Sequence, residues 1–176
     1  MTSIWLRPQG RQEQALQSLI DRMAGEYRTV SFHPHLTVCS VSGDLAVLDA
    51  AAAYIEECGL LPLTVAKTAV TGAVITPFRA VFIEVENSPR LREFRERLRD
   101  IVGAPGLIPP HISLFYTLDR VTQGHRPDLN AETLAAIAAR CAEAIKDVDF
   151  TLARPVVNSS GAAETDVHNW KVIRSL

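Results

Sequence analysis

Pro34-His35-Leu36-Thr37-Val38 is echoed later in the chain by Pro110-His111-Ile112-Ser113-Leu114. Each copy has proline first, histidine second, a hydroxyl residue fourth, and aliphatic residues third and fifth. A strand turns successive side chains to opposite faces. His35 and Thr37 therefore point one way, Leu36 and Val38 the other. His111 and Ser113 are set against Ile112 and Leu114 in the same manner. The apolar pair anchors each strand. The polar pair faces either a cleft or a buried hydrogen-bond network. A lone His-x-Ser/Thr carries little information, but the whole pattern twice, at matching strand positions, points to two similar halves facing each other.

The flanking sequence agrees. Ser3 to Arg7 reads as a short strand, and Gly10 to Tyr27 as a helix with Leu16, Leu19, Ile20 and Met23 inward. Leu36 to Val41 is the first motif strand. Asp44 caps a helix with Leu45, Leu48, Ala52 and Ile55 inside and Gly59 past its end. Strand signals run from Leu63 to Ile75, broken at Gly72, with a turn at Pro77, and return from Arg79 to Glu86. Ser88 and Pro89 start a helix carrying Leu91, Phe94, Leu98 and Ile101, which stops at Gly103. Its arginines (Arg90, Arg92, Arg95, Arg97, Arg99) alternate with acids and read as a solvated face. A Pro/Gly-rich loop, Ala104 to Pro110, leads into the second motif strand, His111 to Tyr116. A polar loop follows, then a helix capped by Asn130 and running to about Lys146. Strands at about Val148 to Val157 and Asn169 to Ile173 close the chain. The expected fold class is α+β, in a single domain of two joined lobes spanning residues 1–176.

A hydrophobic fraction of 47% suits a globular protein and excludes a disordered one. A net charge of −2 argues against a long nucleic-acid footprint, though a few placed arginines suffice for a small anion. No apolar run approaches a membrane span, and the N-terminus turns polar too soon for a secretion signal. Cys39, Cys58 and Cys141 have neither ligand-like nor redox-like spacing. These features lead us to expect a cytoplasmic monomer with no membrane partner.

Should the motif strands face each other, two imidazoles and two hydroxyls converge on one small volume. One neutral histidine can take a proton from water while a protonated one gives a proton to the departing oxygen of a phosphate ester. The hydroxyls can hydrogen-bond the non-bridging oxygens. A strained cyclic phosphate needs no metal to make its leaving group competent, and carboxylates do not cluster around either histidine. His33-Pro34-His35 invites a metal reading, but no third ligand is near in sequence, so neither metal nor cofactor is expected. His125 and His168 fall in polar loops and read as surface residues.

At these residues the chain resembles the 2H phosphoesterase superfamily, named for paired His-x-Thr/Ser motifs. The spacing is closest to the small cyclic phosphodiesterase branch, which opens ADP-ribose 1″,2″-cyclic phosphate and nucleoside 2′,3′-cyclic phosphates. Ser3-Ile4-Trp5-Leu6 looks like its opening strand, His111 to Tyr116 like its second motif, and Asn169-Trp170-Lys171 like its closing strand. The resemblance implies a bilobal fold, two pseudo-symmetric antiparallel sheets with outer helices around a central cleft lined by His35, Thr37, His111 and Ser113. It also implies His111 as base and His35 as acid, roles the residues themselves do not separate.

Four further residues are substrate-binding candidates. Tyr116 can hold phosphate or sugar, or pack in the core. Strict alternation puts it on the face away from His111, so a bend would be needed. Phe78 and Trp5 can stack on a base or pack internally. Arg79 can neutralise a phosphate or lie solvated at a strand edge. Two other functions remain open. RNA-end or 2′-5′ RNA processing by the same site would need a basic groove. A non-catalytic nucleotide-binding module would bind without turnover.

Overall fold

The computed structural model describes residues 2–41, 46–59, 61, 65–72, 76–148, 153–159, 167 and 170–175. In chain order these form β1 (Thr2–Pro8), α1 (Arg11–Tyr27), β2 (Leu36–Val41), α2 (Val47–Cys58), β3 (Val65–Thr71), β4 (Val81–Val85), α3 (Pro89–Val102), β5 (His111–Phe115), α4 (Ala131–Ile145), β6 (Ala153–Ser159) and β7 (Lys171–Ser175). The fold is α+β. One antiparallel sheet has the order β2-β1-β6-β7 and the other β3-β4-β5.

The order strand-helix-strand-helix-strand occurs twice, as β1 to β3 and as β4 to β6. The sheets do not follow that division. β3 pairs with β4 of the second half, and β6 pairs with β1 of the first. Each half thus lends its last strand to the other, and neither sheet is complete without both. The helices follow the same rule: α1 packs on β5, and α3 packs on β2. The motif strands β2 and β5 each form the edge of their own sheet, and they pack against one another.

Both motif strands carry a one-residue register shift at the same place. Between Ile4 and Trp5 of β1, the partner on β2 steps from Cys39 to Thr37, so Val38 is the extra residue. Between Val81 and Phe82 of β4, the partner on β5 steps from Phe115 to Ser113, so Leu114 is the extra residue. Val38 and Leu114 are each the fifth residue of the repeat. A bulge puts two neighbouring side chains on one side of the strand. Val38 and Cys39 are accordingly both buried, as are Leu114 and Phe115.

The main core gathers Ile4, Leu6, Leu36, Ile83, Ile112 and Leu114 of the sheets with the apolar stripes of the helices. Capping follows the sequence. Ser88 Oγ accepts from Leu91 N at 3.3 Å, with Pro89 in the first turn, and Asn130 Oδ1 accepts from Thr133 N at 3.0 Å. Gly103, at φ 66°, ends α3 in the left-handed conformation that glycine adopts without strain. The first residue outside α2 is Ala46, which makes no side-chain cap; Asp44 and Leu45 lie outside the described residues. So do Leu63, His168 and Asn169, together with part of the expected strand from Val148.

Two expectations need correction. Ile101 is only half-buried, and Val102 takes the inward place at the end of α3. Arg95 is not on a solvated face but only 2% exposed. It lies on the same stripe as Leu91, Phe94 and Leu98, and its guanidinium Nη2 donates to the Ile108 carbonyl of the loop before β5.

Candidate active site around two motif histidines

Each motif histidine is fixed in the same way. His35 Nδ1 lies 2.7 Å from the His33 carbonyl, and His111 Nδ1 lies 2.9 Å from the Pro109 carbonyl. In both copies the carbonyl belongs to the residue two positions before the histidine. A carbonyl only accepts, so Nδ1 carries the hydrogen in both rings. The neutral form of each ring then has its lone pair on Nε2. The repeated proline contributes by holding the chain extended just before the strand, which turns that carbonyl back to the ring.

The two rings differ in surroundings. His35 is 7% exposed and stacks on Trp5, with ring centroids 3.6 Å apart and planes 13° apart. Trp170 and Phe32 meet it edge-on at 5.9 and 6.5 Å. Burial pushes its pKa down to about 4. The His33 carbonyl opposes that, and the charge of His111 adds to it. The charge that acts on His35 from the other motif histidine is smaller than the effect of burial. His111 is more open and has Phe82 edge-on at 5.4 Å. Burial lowers its pKa as well, less far, against the Pro109 carbonyl, with Arg79 and Arg95 adding to the depression.

The hydroxyls also differ. Ser113 is buried, and its Oγ donates to the Phe78 carbonyl at 2.8 Å. Thr117 N, just past β5, reaches the Pro77 carbonyl at 2.9 Å, so two bonds hold the 76–80 turn. In this state the Ser113 proton is committed to the backbone. Thr37 is half-buried opposite Trp5 in the ladder, and its hydroxyl has no hydrogen-bond partner among the described residues.

Tyr116 is 2% exposed, in a second cluster with Ile20, Val30, Phe32, Leu118 and Val167. It stacks on Phe32 at 3.6 Å and 10°, and meets Phe78 edge-on at 5.4 Å. The bulge at Leu114 interrupts strict alternation before Tyr116, which lies just past the end of β5. Phe78 and Trp170 pack on this cluster, which adjoins His35 through Phe32 and Trp170. Trp5 is likewise committed, with its indole lying on His35 and edge-on to Trp170 at 5.5 Å. Arg79 is half-buried, not solvated. Its guanidinium carbon sits 4.2 Å above the Phe82 ring, and its Nε is buried without a hydrogen-bond partner among the described residues.

Sequence reading missed a pocket beside this aromatic wall. Its volume is ≈ 430 Å³, and it is lined by Trp5, Phe32, Val167 and Trp170 and by polar groups of α1 and the 31–33 segment. No motif spacing marks it, because its lining comes from four separated stretches. Among the described residues, no helix is long and apolar enough to cross a membrane. The chain matches no model of a known protein family and no curated protein.

Proposed function

We propose that the chain is a 2H-type phosphoesterase that opens small cyclic phosphodiesters, with His35 and His111 flanking the phosphorus. The reading includes the bilobal fold of that superfamily, each sheet forming one lobe. One observation carries it. Two edge strands from different sheets pack together, and each presents a histidine whose Nδ1–H is tied to the carbonyl two residues back. That leaves the two Nε2 atoms as the exchangeable positions, which paired acid and base groups need.

In-line attack on a cyclic phosphodiester requires one ring with and one without a proton on Nε2. His35 is the less basic ring, so in the anion-free site the shared proton resides on His111. His35 is then the base at encounter and His111 the acid, the reverse of what the superfamily resemblance implies. A bound phosphate raises both pKa values by its charge. Thr37, with an uncommitted hydroxyl, is the donor available to a non-bridging oxygen. Ser113 shapes the site through the Phe78 carbonyl. Arg79 supplies positive charge at the His111 side.

The test is hydrolysis of a nucleoside 2′,3′-cyclic phosphate and of ADP-ribose 1″,2″-cyclic phosphate in the presence of EDTA. Turnover should persist, and His35→Ala and His111→Ala should each lose at least about a hundredfold. Near-normal turnover in either variant would rule out the mechanism. A cyclic-phosphate-ended oligonucleotide assayed beside the mononucleotide would separate RNA-end processing from the small-molecule reading.

A further inference from the structure

The pocket of ≈ 430 Å³ next to His35 has aromatic walls and a polar rim. Trp5, Phe32 and Trp170 are shared between its walls and the surroundings of His35, and His33 of the rim is two residues from His35. Flat aromatic walls suit a flat heterocycle. The rim decides which one.

Four rim residues form a single hydrogen-bonded chain. Gln17 Nε2 donates to Asp21 Oδ1 at 2.9 Å and to the Phe32 carbonyl at 3.1 Å. Both partners are pure acceptors, so the Gln17 amide is oriented with its NH₂ toward them. Its Oε1 must then be the atom 3.0 Å from His33 Nδ1, and His33 Nδ1 carries the hydrogen. Ser31 Oγ spends its hydrogen on Asp21 Oδ1. Burial, then the Arg7 charge, lowers the His33 pKa, which keeps the ring neutral near neutral pH.

After this accounting the side-chain donors of Gln17, Ser31 and His33 Nδ1 are all spent. Among the described residues, Asp21 Oδ2 and His33 Nε2 have no hydrogen-bond partner, and both are acceptors. A ligand for this pocket must therefore bring donors on the edge of a flat ring. Guanine does so, with adjacent imino and amino N–H groups. Uracil offers one N–H between two carbonyl oxygens that would face acceptors.

We infer that this pocket binds a nucleobase through its N–H edge, with guanine preferred, Asp21 reading the imino and amino hydrogens between the walls of Trp5, Phe32 and Trp170. The inference deepens the proposed function by naming the base of its substrate. It rests on that proposal only for the placing of the phosphate at the histidines.

The chain has two tryptophans, and both line this pocket, so intrinsic fluorescence reports on it directly. Guanosine, which has no phosphate, tests the pocket apart from the histidine site. Titration of the full chain with guanosine should quench the emission at concentrations at least about tenfold lower than inosine, which lacks the amino group, or uridine. Asp21→Asn, an exposed substitution, should erase most of that preference. His35→Ala and His111→Ala should abolish turnover of guanosine 2′,3′-cyclic phosphate while the variants still prefer guanosine over inosine. Equal quenching by all three nucleosides would overturn the inference, as would an unchanged preference in Asp21→Asn. So would tighter binding of a quaternary ammonium ion, which aromatic walls and a carboxylate also suit. A wild-type chain that prefers guanosine but does not turn over guanosine 2′,3′-cyclic phosphate would count against the phosphate reaction alone.

Discussion

The Trp5 indole lies flat on the His35 imidazole, ring centroids 3.6 Å apart, with Trp5 in β1 and His35 immediately before its neighbour β2. The contact removes water from one whole face of the histidine. An indole face attracts a cation by about 1 kcal/mol, which favours imidazolium. Burial acts the other way and is larger, so His35 titrates well below an ordinary histidine, at about 4. A group whose pKa is lower in the folded than in the unfolded state withdraws stability as pH falls between the two values. Stability should therefore be full above pH 6.5 and be lost progressively toward pH 4. Between pH 7 and pH 5 the loss from His35 is up to about 2 kcal/mol. Thermal unfolding at the two pH values should show a midpoint several degrees lower at pH 5, and His35→Gln should shrink that gap. A wild-type midpoint equal at both values would contradict the burial argument.

The same order of basicity sets the pH dependence of catalysis. The productive free enzyme carries one proton on the histidine pair. That form exists between the His35 value near 4 and the His111 value, itself depressed below the ordinary range. The kcat/KM for a cyclic phosphodiester should therefore peak on the acid side of pH 6.5, while kcat, read with the anionic substrate bound, should peak at higher pH. A kcat/KM still rising above pH 8 would show that the pair is not tuned in this manner.

The legible part of the molecule was the repeat. Proline, histidine and hydroxyl positions at two strand starts pointed to two related halves, and helices, turns and caps at Ser88 and Asn130 followed from local chemistry. The exchange of β3 and β6 between halves was not legible, since strand pairing at long range leaves no local signature. Nor were the bulges at Val38 and Leu114, where an ordinary aliphatic residue gives no hint of an extra place in the ladder. Arg95 misled for a related reason. Among alternating charges it looked solvated, whereas the helix period places it beside Leu91, Phe94 and Leu98. The rim of Gln17, Asp21, Ser31 and His33 is assembled from a helix and a loop, so only coordinates reveal it.

Thr37 and Ser113 hold equivalent places in the repeat but should respond differently to loss of their hydroxyls. Ser113→Ala strands the buried side of the Phe78 carbonyl and loosens the 76–80 turn, so unfolding free energy should fall by about 1–2 kcal/mol. Thr37→Ala removes a hydroxyl with no protein partner among the described residues. Its melting point should change little while turnover of a cyclic phosphate falls about tenfold or more. The comparison needs only a melting curve and an activity assay of both variants. A strongly destabilised Thr37→Ala beside an unperturbed Ser113→Ala would reverse the assignment.

Arg95 links α3 to the loop that orients His111. Its Nη2 bonds the Ile108 carbonyl, and the next carbonyl along, at Pro109, receives His111 Nδ1–H. No carboxylate pairs with Arg95 among the described residues, its Nε has no partner there, and its charge helps lower the His111 pKa. An unpaired buried cation adds little stability, and an apolar residue of similar volume often replaces one without loss. Arg95→Met should therefore fold with stability near that of the wild type while the His111 pKa moves up toward the ordinary histidine value. Proton titration of the His111 ring by NMR would read the shift directly, and the alkaline limb of kcat/KM should move upward with it. Arg95→Lys keeps the charge but not the reach of the guanidinium fork to Ile108. It should hold the His111 pKa close to its wild-type position while reducing kcat through a looser loop. If the methionine variant leaves the His111 titration in place, the arginine acts on the loop alone.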